Sequence, residues 1–300
     1  MLELPINAED TVKLADWLEL LALKSGDRNS SVGDLVNALQ IAAVGKAKAE
    51  RLSLEVITEI EERVRATSGA YPFELRHSRV LQARDELKDY TAYIFCLLLS
   101  YFGWEQVRGA PINPRLLFEN LSCVAAKQYF HGEVCQFGTS RDDEISTFSD
   151  AVNQLCKRLG EGGGIRPTHT LHKKDDHVDL VVWRHFEDGR ENKLVFFGQC
   201  ASGENWKAKL NELQPDAFWE HWMIESKRSP LGRSFFIPHR ISDQDNGEGW
   251  KYYASYARGI LFDRCRVAYW AWIGNDEVLS ESRYFEWCES VFPALGTSNE

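Results

Sequence analysis

The sequence has no long apolar run, no paired cysteine motif and no excess of basic residues, and each absence excludes a class of protein. A membrane-spanning helix needs about 20 apolar residues, and no uninterrupted run of this length occurs. The residues MLELPINAED have no basic segment leading into an apolar one, so we expect no signal peptide. The seven cysteines form no CxxC pair, which argues against a disulfide framework and favours a reducing, cytoplasmic environment.

The net charge of −10 argues against a protein that holds nucleic acid by bulk attraction, because phosphate binding normally uses a basic surface. The acidic residues are unevenly distributed, however. Residues 163–233 contain eleven Lys or Arg and eleven Asp or Glu. This segment is locally neutral, so a short basic strip within it stays compatible with the overall charge.

The first hundred residues space their apolar side chains at helical intervals. Ser31, with Asp34 three residues on, is a typical N-cap. The segment YTAYIFCLLLSYFGW is apolar on nearly all sides, which predicts a buried helix. We therefore predict an all-helical domain over residues 1–108, which ends at the Gly and Pro residues of GWEQVRGAPINP. The apolar sets that share one helix face are Leu14, Trp17, Leu18 and Leu21, followed by Leu54, Ile57, Ile60 and Val64.

The remaining residues, 109–300, mix helical and strand patterns. Helices are predicted at RLLFENLSCVAAKQYF and at ISTFSDAVNQLCKRL, the second ending at GEGGGIRP. The segments HVDLVVWRHF and KLVFFGQCA are predicted strands, and the Asp188-Gly189 pair between them is a strong hairpin signal. SFFIP and GILF indicate two further short strands. We therefore predict an α/β domain with a central mixed sheet flanked by helices.

Two polar side chains, Asp179 and Gln199, lie on these apolar strands. Alternation places Asp179 on the same side as Val181 and Trp183, and Gln199 on the same side as Phe197. A buried, unpaired carboxylate costs several kcal/mol, roughly a pKa shift of 3 units or more, unless a cation or hydrogen-bond donors receive it. A bound metal ion would remove this cost.

The order of these elements resembles the PD-(D/E)xK, or restriction-endonuclease-like, nuclease superfamily. A helix is followed by a hairpin, with Asp on its first strand and an acid or amide on its second, and then by another helix. The resemblance covers about residues 115–238 and is nearest to the type IV restriction enzymes and archaeal junction resolvases. Its pattern is Asp, ten to twenty residues, Glu or Gln, one residue and Lys. Here nineteen residues separate Asp179 from Gln199, and Ala201 stands where the Lys is expected.

The resemblance implies a Mg²⁺- or Mn²⁺-dependent endonuclease that cuts DNA, in a prokaryotic restriction or anti-phage system. Residues 1–108 would then bind a regulatory protein partner, and no membrane is implied. The metal ligands would be Asp179, Gln199 and Glu119 in LFEN, with Asp150 as the alternative to Glu119. The missing cation would come from Lys209 or Lys207 in GENWKAKLNEL, a predicted helix docked through the stripe of Trp206, Leu210 and Leu213. We prefer Lys209, because it lies nearer that stripe.

Other interpretations stay open at this point. The same fold with an inactive site, binding or scaffolding without cleavage, would explain Ala201 and the acidic charge, and a nuclease acting on RNA would carry the same motif. Asp179 can also be read as a strand-end acid that accepts a backbone hydrogen bond. Cys200 faces away from Gln199 and is predicted to be structural. The sequence leaves the oligomeric state open, and the three histidines of the nearby loop do not have the spacing of a compact zinc site: His169, His172 and His177.

Overall fold

The computed structural model describes residues 2–5, 7, 9–106, 112–137, 147–167, 177–243, 249–274 and 282–295. It is a mixed α/β protein with a five-stranded mixed sheet and a smaller three-stranded sheet. The coarse fold class predicted from the sequence is therefore confirmed. Among the described residues, no helix is long and apolar enough to cross a membrane.

The amino-terminal part contains strands as well as helices. Its elements are α1 (Thr11–Lys24), β1 (Asn29–Ser31), α2 (Val32–Ile41), α3 (Lys46–Thr67), β2 (Phe73–Arg76), β3 (Val80–Ala83), a 3-10 helix (Leu87–Tyr90) and α4 (Thr91–Gln106). The three strands form an antiparallel sheet in the order β1-β3-β2. The prediction of an all-helical domain over residues 1–108 is wrong, because strands of three or four residues are too short for an alternating pattern to stand out.

Two local predictions in this part are confirmed. The Ser31 side chain accepts a hydrogen bond from the Asp34 backbone N–H, and the Asp34 carboxylate accepts one from the Ser31 N–H, so that both satisfy free groups at the start of α2. The apolar segment after Tyr90 is the helix α4, whose residues from Tyr93 to Leu99 are fully buried. It is a core helix.

The larger sheet lies in the second part of the chain. The helices and strands there are α5 (Pro114–Phe130), β4 (Glu133–Gln136), α6 (Phe148–Leu159), β5 (Leu180–Arg184), β6 (Leu194–Cys200), α7 (Trp206–Lys209), α8 (Pro215–Trp222), β7 (Leu231–Phe236), α9 (Trp250–Ala257), β8 (Ile260–Phe262), α10 (Arg264–Ile273), α11 (Arg283–Val291) and a 3-10 helix (Pro293–Leu295). The strand order is β4-β5-β6-β7-β8. β4, β5 and β6 pair antiparallel, whereas β6, β7 and β8 pair parallel.

The predicted hairpin is present, with Leu180 opposite Gly198 and Arg184 opposite Leu194. Gly189 in its turn has a φ of 66°, a conformation that favours glycine. Gly198 has a different reason to be glycine, because an added Cβ would lie 2.8 Å from the Leu180 side chain. The hairpin therefore depends on local turn chemistry and on one close cross-strand approach.

The two faces of the larger sheet pack into different cores. Leu180 and Val182 join a large apolar cluster that contains α1, α3, α4, α5 and α10. Val181, Trp183 and Phe197 face the opposite side and pack with α6 and α8. The predicted boundary near residue 108 lies outside the described residues, and the division into residues 1–108 and 109–300 stays a prediction. Both parts contribute to the large cluster, since α10 packs against α3, α4 and α5.

Candidate functional site

Asp179 lies directly before β5, where the hairpin ladder ends. Its backbone N–H donates to the Gly198 carbonyl at 2.9 Å, and its own carbonyl accepts from the Phe137 N–H at 2.7 Å. One carboxylate oxygen, Oδ2, accepts from the Cys200 backbone N–H at 2.6 Å. The carboxylate thus takes the place of a backbone carbonyl at the end of the hairpin, as the alternative interpretation of Asp179 predicted.

Glu119 lies on α5, on the sheet face that Cys200 also contacts. Its Oε2 accepts from the Gln136 Nε2 at 3.4 Å. Burial, together with the negative charges of Asp179 and Glu119, raises the pKa of the Cys200 thiol well above its ordinary value. The two carboxylates are therefore close to the same thiol. They also keep Cys200 in the unreactive thiol form, in agreement with a structural role.

Asp150, the alternative to Glu119, has a local structural role. Its Oδ2 accepts from the Thr147 hydroxyl at 2.6 Å, and its N–H donates to the same hydroxyl oxygen at 3.1 Å. These contacts cap the start of α6. The side chain is exposed, so this geometry favours Glu119 over Asp150 as the helix acid of the site.

Gln199 is 4% exposed and lies on the sheet face opposite Cys200. Its Nε2 donates to Glu212 Oε2 at 3.0 Å, while its Oε1 is buried without a hydrogen-bond partner among the described residues. Rotating the amide would bring its carbonyl oxygen against the Glu212 carboxylate, so this contact fixes the orientation. A buried carbonyl oxygen without a donor is costly, and such an oxygen can serve as a metal ligand.

Glu212 is a residue that the sequence interpretation missed. Besides Gln199, it contacts His177, whose Nδ1 lies 3.4 Å from the Glu212 Oε2. No spacing in the sequence signals this cluster, because Glu212 follows Gln199 by thirteen residues across a loop and a helical turn. The other two histidines of the predicted loop, His169 and His172, lie outside the described residues.

The oxygen atoms of these side chains are of the kind that binds a hard divalent cation. Carboxylate and amide oxygens are the ligands that Mg²⁺ prefers, and Asp179, Glu119, Gln199 and Glu212 offer them. Their arrangement is divided, since Glu119 lies on one sheet face and Gln199 with Glu212 on the other. Within the described ranges, no group of three or more His, Cys, Asp or Glu is arranged to hold a metal ion.

The two candidate lysines differ in burial. Lys207 is exposed, and its Nζ lies 5.0 Å from the centre of the Tyr253 ring. Lys209 is half-buried. The predicted helix through Leu213 is wrong, because α7 ends at Lys209 and Pro215 starts the separate helix α8. Trp206 and Leu210 pack in one cluster with Ala201, whereas Leu213 packs in another.

A separate cavity of about 400 Å³ lies beyond the carboxyl ends of the parallel strands, against α1. Lys207 and His239 line it together with Asp16 and Arg264, so Lys207 belongs to this cavity. Burial lowers the pKa of His239 to about 4 despite the nearby Glu204, and its Nε2 has no hydrogen-bond partner within the described ranges. At neutral pH this imidazole is therefore uncharged.

Comparison with known proteins returns no relative. No protein-family model, no curated protein and no solved structure matches this chain.

Proposed function

We propose that the protein is a metal-dependent nuclease that hydrolyses phosphodiester bonds in DNA. The buried Gln199 Oε1 is the observation that carries this proposal. It lacks a donor, Glu212 fixes its direction, and it lies at the strand end that Asp179 also borders. The order of a helix, a hairpin with this Asp and Gln, and further helices is also the arrangement of the PD-(D/E)xK superfamily.

The residues would divide the work as follows. Asp179 and Gln199 would hold Mg²⁺ or Mn²⁺ through oxygen atoms, whereas Glu119 lies on the sheet face opposite Gln199 and is not assigned to the same ion. The ion, when bound, would act as a Lewis acid and lower the pKa of a bound water. Because Ala201 carries no charge, Lys209 would supply the cation beside the scissile phosphate.

Plasmid cleavage with Mg²⁺ or Mn²⁺ tests the proposal. Asp179→Asn keeps an oxygen that can accept from the Cys200 N–H, so the fold should persist while cleavage falls by about 10²-fold or more. Glu220→Gln, at an exposed position of α8, is the matched control and should cleave like wild type. An Asp179→Asn variant with full activity would refute the assignment.

The choice between the two lysines needs its own test. Removing a preorganised charge from a transition state typically lowers the rate by ~10²–10³. Lys209→Ala should show a loss of this size with metal binding retained, whereas Lys207→Ala should lose far less. If Lys207→Ala is the inactive variant, the cation comes from the cavity side instead.

A second candidate is a binding or scaffold protein with an inactive site. Ala201 is 2% exposed within an apolar cluster, at the position where the cation is expected. Asp179 already uses one oxygen for a backbone hydrogen bond. Calorimetry separates the two candidates, since an inactive site should bind neither Mg²⁺ nor Mn²⁺. Parallel assays on RNA distinguish a ribonuclease.

We further propose that residues 1–108 bind a protein partner that controls cleavage, in a cytoplasmic restriction or anti-phage system. Among the described residues of this part, the most exposed large apolar side chains are Ile41, by 77%, and Leu54, by 68%. The full chain carrying Ile41→Ser and Leu54→Ser should cleave like wild type but no longer retain the partner during purification. Unchanged retention would refute this surface.

A further inference from the structure

Two arginines, one on β7 and one at the C-cap of α9, form a cationic pair without an acidic partner among the described residues. Arg233 lies on β7, and Arg258 directly precedes Gly259, next to the start of β8. An added Cβ on Gly259 would lie 2.5 Å from the Arg233 carbonyl oxygen, so the two backbones are in direct contact. Among the described residues, no acidic side chain lies within ion-pair distance of either guanidinium.

The charges of these two arginines oppose each other. Burial, and to a smaller extent the positive charge of Arg258, lower the pKa of Arg233. Arg233 keeps its position by donating from Nη2 to the Leu210 carbonyl at 2.6 Å. Two adjacent cations without a counter-charge are the arrangement that a phosphate group would neutralise.

Exposed aromatic rings lie on α9, the helix whose C-cap is Arg258. Tyr252 and Tyr256 are 44% and 50% exposed, and their rings stack at 5.8 Å with an interplanar angle of 14°. Tyr256 lies in the last turn of α9, and Arg258 is the C-cap of the same helix. Stacked aromatic side chains next to a basic groove are typical of proteins that bind single-stranded nucleic acid.

The strip, defined as Tyr252, Tyr256, Arg258 and Arg233, is connected to the candidate site through the sheet, because α9 packs through Tyr253 and Ala257 against Phe235 of β7. Arg233 is paired with Phe197, and Phe235 with Gln199, so Arg233 and Gln199 share a face of the sheet. They are one strand and two residues apart, which corresponds to about 7 Å along the strand. A backbone phosphate bound at the arginines would therefore lie within a nucleotide or two of Gln199.

We propose that this strip binds single-stranded nucleic acid, with bases stacked on Tyr252 and Tyr256 and a backbone phosphate at Arg233 and Arg258. As a statement about the substrate of the same site, it rests on the proposed nuclease function. The binding itself requires no metal ion, because none of the four side chains belongs to the candidate metal ligands.

The test is fluorescence anisotropy of the full chain with labelled 20-mers in EDTA. The probes are oligothymidylate, oligouridylate and a DNA duplex, which distinguish DNA from RNA and single from double strands. Single strands should bind more tightly than the duplex at equal salt. Equal or tighter duplex binding, or no binding to any probe, would overturn the proposal.

Surface variants assign the binding to the strip. Tyr252→Ala and Tyr256→Ala should each weaken single-strand binding roughly five-fold or more, whereas Phe186→Ala, in the hairpin turn and 62% exposed, should not. Arg258→Gln should reduce the slope of log affinity against log salt by about 0.7. Arg190→Gln, a cation of the hairpin turn, is the control for charge. Strip variants that bind like wild type would contradict the proposal.

Failure of this inference and failure of the nuclease function are distinguishable. Asp179→Asn should bind single strands like wild type in EDTA. A protein that binds single strands through the strip and never cleaves would support the strip and refute the nuclease. A protein that cleaves, and whose tyrosine variants bind single strands like wild type, would support the nuclease and refute the strip.

Discussion

Two polar clusters border the carboxyl ends of the larger sheet's strands, and they differ in how their polar side chains are paired. The ion cluster between the amino-terminal helices and the start of α10 is buried, and every charge in it has a counter-charge. Its members are Asp16, Glu19, Glu59, Arg63, Arg240, Asp263 and Arg264. At the candidate site, Glu212 contacts His177 and the Gln199 amide, and the Gln199 Oε1 is buried without a hydrogen-bond partner among the described residues.

The comparison distinguishes buried charges that pair with one another from a buried neutral amide. Arg63 contacts Asp16 and Glu19 at 2.7 and 2.8 Å, and Arg264 binds Asp16 through two nitrogens at 2.6 and 2.8 Å. Buried charges that satisfy one another hold two parts of the chain together. Gln199 Oε1 is buried without a hydrogen-bond partner among the described residues. Glu19 Oε2 and Glu59 Oε2 of the ion cluster share this property, but their carboxylates also contact Arg63, whereas Gln199 is a neutral amide.

The largest expected effect is the loss of a cation from the ion cluster. Arg63→Met would leave Asp16, Glu19 and Glu59 partly uncompensated in the core, which typically destabilises a protein by about 3–5 kcal/mol. Urea unfolding of wild type and variant measures the change. A loss below about 1 kcal/mol would show that the cluster is not a structural requirement.

A smaller effect should accompany acidification. Because the pKa of His239 is about 4 in the folded protein and near 6.5 when unfolded, the unfolded chain binds more protons between these values. Stability should therefore fall as the pH drops from about 6.5 to 4, by on the order of 3 kcal/mol for this group. The matched measurement is the pH dependence of unfolding in His239→Asn, which should be shallower. Identical pH profiles would contradict it.

Gln199→Leu should act in the opposite direction on stability. It replaces a buried amide with an unsatisfied oxygen by an apolar side chain of similar size, and Glu212 remains partly solvated. We expect unfolding free energy to stay equal or rise by up to about 1 kcal/mol, while metal binding measured by calorimetry is lost. A variant that is destabilised by several kcal/mol would make Gln199 a structural residue like those of the ion cluster.

The smallest effect is expected for an exposed ion pair on the same helix as Arg63. Arg51 lies 3.1 Å from Glu55, and its side chain is 64% exposed. Arg51→Ala should change the unfolding free energy by less than about 0.5 kcal/mol. This variant calibrates the comparison, because it removes an arginine from α3 without burying an unpaired acid.

Features set by neighbouring residues were predictable from the sequence. The N-cap at Ser31 and the hairpin turn at Gly189 both depend on contacts within a few residues. The alternation that separates Phe197 from Cys200 was equally readable, because strand geometry has a period of two. By contrast, the three-stranded sheet of the amino-terminal part was missed, since its strands are short and their pairing is nonlocal.

The candidate site shows the same division. Asp179 and Gln199 were identified as polar residues on apolar strands, and the structure places both at the end of one hairpin. Their partners were not predictable. Glu212 reaches Gln199 only because α7 ends at Lys209 and the chain turns before Pro215, and the helix expected there would have continued past this point.

The sequence by itself determined the mixed α/β class, the hairpin and the presence of polar groups on buried strands, because periodicity and turn chemistry act over short distances. Only the tertiary structure decided which charges are matched. Asp16 and Arg264 are separated by 248 residues and meet in the core, while Arg233 and Arg258 have no acid within ion-pair distance in the part of the chain that the structure describes. Whether a charge finds its counter-charge depends on packing between distant segments, and local sequence patterns carry no information about that.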